Sequence, residues 1–397
     1  GEKALKKNNL LRSAVLYGAN ASGKSNVLKA FANLKYLIIT SNQNIPGQNI
    51  RFLPFKLDEK CLSKPSKFNI NFVQGGIRYN YKVSFTSEKV IDESLYYYPK
   101  GAEATIFERN DTIDYKFTID KSKQKGMSER TLENVFYLSN SAQQNYDKTL
   151  EPFKWFLKFL DVIGPTEKLD KYATVKLMEK DEKLKNIVLK GLVVADLGIS
   201  NLNASIKEIS PDDFSNLPED IRTFIDSSHN KIDNVNQIDS VNLIDLKFFH
   251  NGFDEKHNKI GVQFDIEEES DGTQKLFSLI GPWINSLNHG SILVIDELDS
   301  NFHPFLCKYL IDMFNNPEIN ISNSQLLFTT HNSTFLDQDI FRRDQIWFTE
   351  KDAEFGNTNL FSLLEFKQRK DVNIEKGYLA GRYGAVPFIK SVESVFS

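Results

Sequence analysis

Lys24 lies in Gly18-Ala19-Asn20-Ala21-Ser22-Gly23-Lys24-Ser25, which satisfies the phosphate-loop pattern G-x-x-x-x-G-K-[ST] at every fixed position. Each residue type has a task. The turn, with Asn20, Ala21 and Ser22 at its crest, aims backbone N–H groups at phosphate oxygens. The helix that must follow, opening on Lys24, Ser25 and Asn26, adds a favourable dipole. Lys24 brings a positive charge to the β- and γ-phosphates, and Ser25 offers a hydroxyl to Mg²⁺. Gly23 lets the backbone approach without a Cβ. The pattern implies ATP or a related triphosphate, bound with Mg²⁺.

A second group of chemical residues lies about 270 residues downstream, where the apolar run Ile292–Ile295 ends in Asp296-Glu297. A carboxylate at a strand end suits Mg²⁺, which assigns Asp296, and the next one suits a water-polarising base, which assigns Glu297. Upstream, Glu269-Ser270-Asp271-Gly272-Thr273-Gln274 reads as a helix start. It carries a Ser270 hydroxyl and a Gly272 N–H that could meet a γ-phosphate. The stretch resembles the ABC signature, with Asp271 in place of its first glycine. Leu298-Asp299-Ser300 resembles the D-loop of that class. His331, after Leu326–Thr330, occupies the place of its switch histidine, while His303 reads as structural. The glutamine that senses metal or water in such heads is assigned to Gln143, after an expected strand Val135–Leu138, with Gln144 and Gln74 as rivals.

These residues need elements to hold them. Ser13–Tyr17 reads as a buried strand entering the loop, and Val27, Leu28, Ala30, Phe31 and Leu34 recur at helical spacing after it. Alternation at Phe68, Ile70 and Phe72, then at Tyr79, Tyr81, Val83 and Phe85 across Gly75-Gly76, predicts an antiparallel unit. Apolar spacing at Phe153, Phe156, Leu157, Leu160 and Ile163, and again from Val175 to Leu192, predicts helices, with connectors at Leu217-Pro218 and His229–Gln237. Ile244, Leu246 and Phe248, Val262 to Ile266, and the runs at 292–295, 326–328 and 346–348 predict a returning parallel sheet. The expected divisions are 1–66 (head, with the phosphate loop), 67–120 (antiparallel β subdomain), 121–240 (helical insertion), 241–350 (head, with the distal catalytic set) and 351–397 (tail).

Composition narrows the class. With 49 basic and 53 acidic residues, the net charge of −4 gives no global case for nucleic-acid binding. Cys61 and Cys307 have no metal-ligand spacing, so reduced thiols in a cytoplasmic protein are expected. No run of about 18 apolar residues calls for a membrane. Seventeen residues precede the loop, fewer than the two strands usual in ABC heads, which reads as a trimmed N-terminus.

The whole order resembles the ABC-type heads of SMC, RecF and OLD-family proteins. Tyr17–Asn26, Arg343–Asp352 and Tyr378–Pro387 narrow the resemblance to bacterial abortive-infection ATPases of the AbiL/RloA type. That resemblance implies an α/β P-loop NTPase fold: an ABC-type head with a mostly parallel sheet flanked by helices, an antiparallel β subdomain and a helical insertion. It implies ATP hydrolysis at a homodimer interface, with higher assembly open. There Lys24, Ser25, Asp296, Glu297 and His331 of one copy face Ser270 and Gly272 of the other. It also implies anti-phage defence with a separate effector, nuclease or toxin, since the 66 residues after His331 are too few for the Toprim nuclease of full OLD proteins. The alternative is a RecF- or SMC-like ATPase with DNA as partner. Gly381-Arg382-Tyr383-Gly384 reads either as a turn packed on the head or as a docking surface.

Overall fold

The computed structural model describes residues 10–164, 171–195, 198–209, 241–336, 340–367 and 373–386. The connectors expected at 217–218 and 229–237 lie outside them. The chain divides into two compact units, 1–166 with 286–397 and 167–285.

The first unit is built on a six-stranded sheet. Its strands are β1 (Ser13–Tyr17), β7 (Leu160–Ile163), β11 (Ile292–Ile295), β12 (Gln325–Thr329), β13 (Ile346–Lys351) and β14 (Thr358–Ser362), in the order β14-β13-β1-β12-β11-β7. All neighbours run parallel except the β13–β14 hairpin. β1 lies between β12 and β13, with Ser13 opposite Leu326 and Val15 opposite Ile346. Val15, Leu293, Val294, Phe328 and Phe348 are fully buried, as continuous apolar strands of a covered sheet must be. The phosphate loop leads from β1 into helix α1 (Lys24–Thr40).

Residues 66–117 form the antiparallel subdomain β2 (Ser66–Gln74), β3 (Ile77–Phe85), β4 (Val90–Tyr98), β5 (Ala104–Asn110) and β6 (Asp114–Phe117), paired in sequence order. Gly75 and Gly76, at φ 58° and 77°, supply the left-handed pair a two-residue hairpin turn requires. The inner face packs on α2 (Lys121–Ser128), α3 (Tyr137–Gln143) and α4 (Asp147–Lys158). Phe72 stacks on Trp155 at 4.3 Å between centroids.

Two expectations fail here. Val135–Leu138 is not a strand; Tyr137 and Leu138 open α3. The cause is the buried Glu93 carboxylate, which accepts the N–H groups of Tyr137 at 2.6 Å and Leu138 at 2.9 Å. A four-residue apolar run suits either element, and this acceptor decides it. Leu160–Ile163 does not continue a helix. α4 stops at Lys158, and the four residues pair with β11.

The second unit holds α5 (Lys171–Lys180), α6 (Glu182–Val194), a sheet ordered β10-β9-β8 and most of α7 (Asp271–His289). The strands are β8 (Ile199–Ile209), β9 (Val241–Phe253) and β10 (Lys259–Asp265), all antiparallel. Strand β8 replaces part of the expected helical insertion. β9 and β10 belong to this sheet and not to the parallel one, so the first unit resumes near 286 and not 241. Their alternation was itself the mark of a half-exposed antiparallel sheet. Gly281 admits Thr174 closely: a Cβ there would lie 2.4 Å from the threonine hydroxyl, which accepts the Gly281 N–H.

Candidate functional site

The phosphate loop is shaped by two left-handed residues, Ala21 at φ 61° and Gly23 at φ 107°. Gly23 caps α1, whose first N–H groups receive no side-chain cap and so keep their capacity for a ligand. Lys24 is buried, and its ammonium folds back on the loop, donating to Gly18 O at 2.7 Å and Ala19 O at 3.2 Å. Burial lowers its pKa, opposed by the carboxylates of Asp296, Glu297 and Asp299. Those charges converge on the loop from the end of β11.

A cleft of about 470 Å³ is lined by Ala19 through Asn26 together with Glu297 and His331. The structure thus brings the two distant halves of the expected site together. Gly18 lies beneath the cleft, where a Cβ would fall 2.3 Å from Thr349 Oγ1. The Ser22 side chain also points away from the cleft, bonded to Thr349 at 2.7 Å, so Ser22 offers the cleft its backbone.

Asp296 is buried, with Oδ1 accepting from Thr329 Oγ1 at 2.5 Å and Oδ2 without a protein partner. A buried carboxylate oxygen left bare is costly unless an ion meets it, so Asp296 fits a ligand of Mg²⁺. Glu297 holds φ at 50°, a left-handed conformation that costs a non-glycine residue about 1 kcal/mol or more. Its N–H donates to Thr329 Oγ1 at 2.7 Å, and its carboxylate lies 3.9 Å from His331 Nε2. Asp299 accepts the His331 N–H at 3.3 Å, which ties the turn after β11 to the turn after β12. His303 caps α8 (Pro304–Asn315) by accepting the Phe305 N–H, the structural role expected of it.

Thr329 is a site residue that pattern reading missed. One hydroxyl serves both carboxylate residues, donating to Asp296 and accepting from Glu297. The apolar strand ending in Thr329-Thr330-His331 was legible, but nothing in its spacing separates a threonine that packs from one that bridges.

Gln143 is corrected. Its side chain accepts from Asn42, beyond the C-terminal end of α1. The phosphate loop is at the other end of that 17-residue helix, about 25 Å away at 1.5 Å per residue. Gln143 therefore holds neither nucleotide nor metal in this arrangement. The rivals fail too. Gln144 bonds Arg130, and Gln74 bonds Glu151 and lines a crevice with Ile292 and Gln325, where the parallel strands begin.

In the second unit, Ser270 caps α7 by accepting the Thr273 N–H at 3.2 Å, and Gly272 lies in the first turn. Glu269 is held from both sides, by His250 Nε2 at 2.6 Å and through its carbonyl by Gln274 at 2.9 Å. The expected helix start with a presented Ser-Asp-Gly turn is present.

Residues 13–337 match the family described as "AAA domain, putative AbiEii toxin, Type IV TA system". The chain belongs to this family. The AAA domain here has an α/β architecture in which a phosphate loop follows the first strand of a mostly parallel sheet. Similar solved structures include the SMC head domain from Thermotoga maritima, at 11% identity over 88% of this chain and 89% of that one, TM-score 0.36. An SMC head bound to the C-winged helix domain of ScpA matches at 13% over 92% and 91%, TM-score 0.32. An Smc head with an extended coiled coil, bound to the C-terminal domain of ScpA derived from Pyrococcus furiosus, matches at 13% over 94% and 92%, TM-score 0.31. No curated protein matches the chain. Among the described residues of this AAA domain, no helix is long and apolar enough to cross a membrane.

Of the two expectations for Gly381-Arg382-Tyr383-Gly384, the structure shows the packed turn. Tyr383 is buried and stacks on Phe348 at 5.6 Å, Ala385 N donates to Glu350, and a Cβ on Gly384 would lie 2.6 Å from Glu350 Oε1. Residues 381–385 are a turn packed on the sheet, led in by α9 (Ile374–Leu379).

Proposed function

We propose that this protein hydrolyses ATP at sites completed by a second copy, and that it serves as the nucleotide-driven regulator of an abortive-infection defence system. The observation that carries the catalytic part is the shared cleft: the phosphate loop, Glu297 and His331 line one space. Lys24 would exchange its loop carbonyls for β- and γ-phosphate oxygens. Ser25 and Asp296 would hold Mg²⁺, which supplies charge neutralisation at the phosphates. Glu297 would orient a water and take its proton as the water oxygen bonds the γ-phosphorus and the bond to the β–γ bridging oxygen breaks. His331 would donate to the γ-phosphate. Such chemistry is almost entirely positional and electrostatic.

Ser270 and Gly272 are assigned to the γ-phosphate bound by the partner copy. Nucleotide would then hold two copies together, and hydrolysis would release them. The defence role is supported by the family description and by the resemblance of the loop and tail to abortive-infection ATPases, and it brings a separate effector as partner. Glu297→Gln tests the reading. The variant is expected to bind ATP as wild type does, to lose hydrolysis by at least about 100-fold, and to accumulate as an ATP-dependent dimer on size exclusion. Hosts carrying it should lose the reduction in phage plaques that the wild type gives. Wild-type turnover by the variant would overturn the assignment.

A further inference from the structure

Two threonines from the C-terminal hairpin grip one residue of the phosphate loop. Ser22 Oγ donates to Thr349 Oγ1 at 2.7 Å, and Thr349 passes its own proton to Tyr17 O at 3.2 Å. On the other side, Thr358 Oγ1 donates to the Ser22 carbonyl at 2.9 Å. The fit is tight around both glycines of the motif. A Cβ on Gly18 would lie 2.3 Å from Thr349 Oγ1, and one on Gly23 would lie 2.1 Å from Thr358 Oγ1. Ser22 is followed by Gly23, at φ 107°, whose lack of a Cβ leaves the peptide between them freer to turn over.

The consequence concerns one peptide plane. A trans peptide points its C=O and its following N–H in opposite directions. Thr358 holds the Ser22 C=O toward the hairpin, so the Gly23 N–H faces away from the hairpin, and Gly23 lines the cleft. Turned over, the same peptide would aim a carbonyl oxygen at the phosphates. We propose that Thr358, backed by Thr349, is a positioning residue of the nucleotide site: it fixes the Ser22–Gly23 peptide in the orientation that presents an N–H to phosphate. The inference rests on the ATP-binding reading above and extends it to β13–β14, more than 300 residues from the loop.

Thr358 is exposed apart from this contact, so its replacement leaves the core intact. The experiment compares Thr358→Val, Thr358→Ser and wild type by equilibrium binding of ADP and ATP and by melting without nucleotide. Thr358→Val should bind both nucleotides about five- to tenfold more weakly, the scale of one hydrogen bond. Thr358→Ser should bind as wild type does. Melting should shift by no more than about 2 °C in either variant. Wild-type affinity in Thr358→Val would overturn the proposal while leaving the ATPase reading in place. So would an affinity loss that Ser does not restore, or one matched by a large fall in melting temperature. A wild-type protein that binds neither nucleotide would remove both.

Discussion

At the scale of single residues, the site is held by hydroxyls that a motif does not name. Thr329 joins Asp296 to the backbone of Glu297 and stabilises a glutamate whose φ of 50° is unfavourable. Thr329→Val should therefore slow hydrolysis by about tenfold or more, since a lost hydrogen bond worth about 1.4 kcal/mol in the transition state gives that factor. Nucleotide affinity measured without Mg²⁺ should stay within about twofold, because the phosphate loop is untouched, and Thr329→Ser should recover the rate. Steady-state kinetics beside equilibrium binding would separate the two quantities. The charged residues that converge here stood out in the sequence because the chemistry proposed for them restricts residue type: a lysine in a glycine-rich loop, paired carboxylates at a strand end, a histidine after a strand. Threonine carries no such restriction. Thr329, Thr349 and Thr358 are ordinary strand residues by composition, and their roles exist only once distant strands meet.

At the scale of elements, legibility followed burial. β1, β11, β12 and β13 were readable because each is a short apolar run, and the hairpin at Gly75-Gly76 because two left-handed residues mark it. The glutamine assignment failed through one element, the run 135–138, where two competing periods fit equally well. Glu93 and Arg109 settle it. Arg109 is fully buried, donates to the carbonyls of Thr112 at 2.5 Å and Val135 at 2.8 Å, and lies 3.9 Å from Glu93. Glu93 in turn takes the first N–H groups of α3. Burial raises the Glu93 pKa, opposed by Arg109 and by the N–H groups of Leu138 and Tyr137. Glu93→Ala would leave Arg109 as an uncompensated buried charge and unfasten the start of α3. Urea denaturation should show a loss of about 3–5 kcal/mol, the scale for breaking a buried pair by removing one partner. A loss under about 1 kcal/mol would mean that α3 does not depend on this carboxylate.

At the scale of the whole molecule, the proposed functional unit is a pair of chains, and mixing tests it. Lys24→Ala lacks its own phosphate grip, and Ser270→Arg lacks what it would offer a partner, so each should be inactive alone. A heterodimer of the two keeps one site with both halves intact. An equal mixture should recover about a quarter of wild-type ATPase activity, because half the dimers are mixed and each has one of two symmetric sites. Activity no greater than the sum of the separate variants would argue for sites complete within one chain. The central sheet carries a further consequence, for synthesis. β1 lies between β12 and β13, whose residues leave the ribosome more than 300 positions later. At about 5–20 residues per second, the first strand waits roughly 20–70 s for its neighbours. Until Thr349 and Thr358 emerge, the loop of Gly18–Ser25 has no floor beneath it. A chain interrupted anywhere in that interval would hold every residue of the loop without the two threonines that grip Ser22, so the proposed nucleotide site is completed only when translation has passed the hairpin.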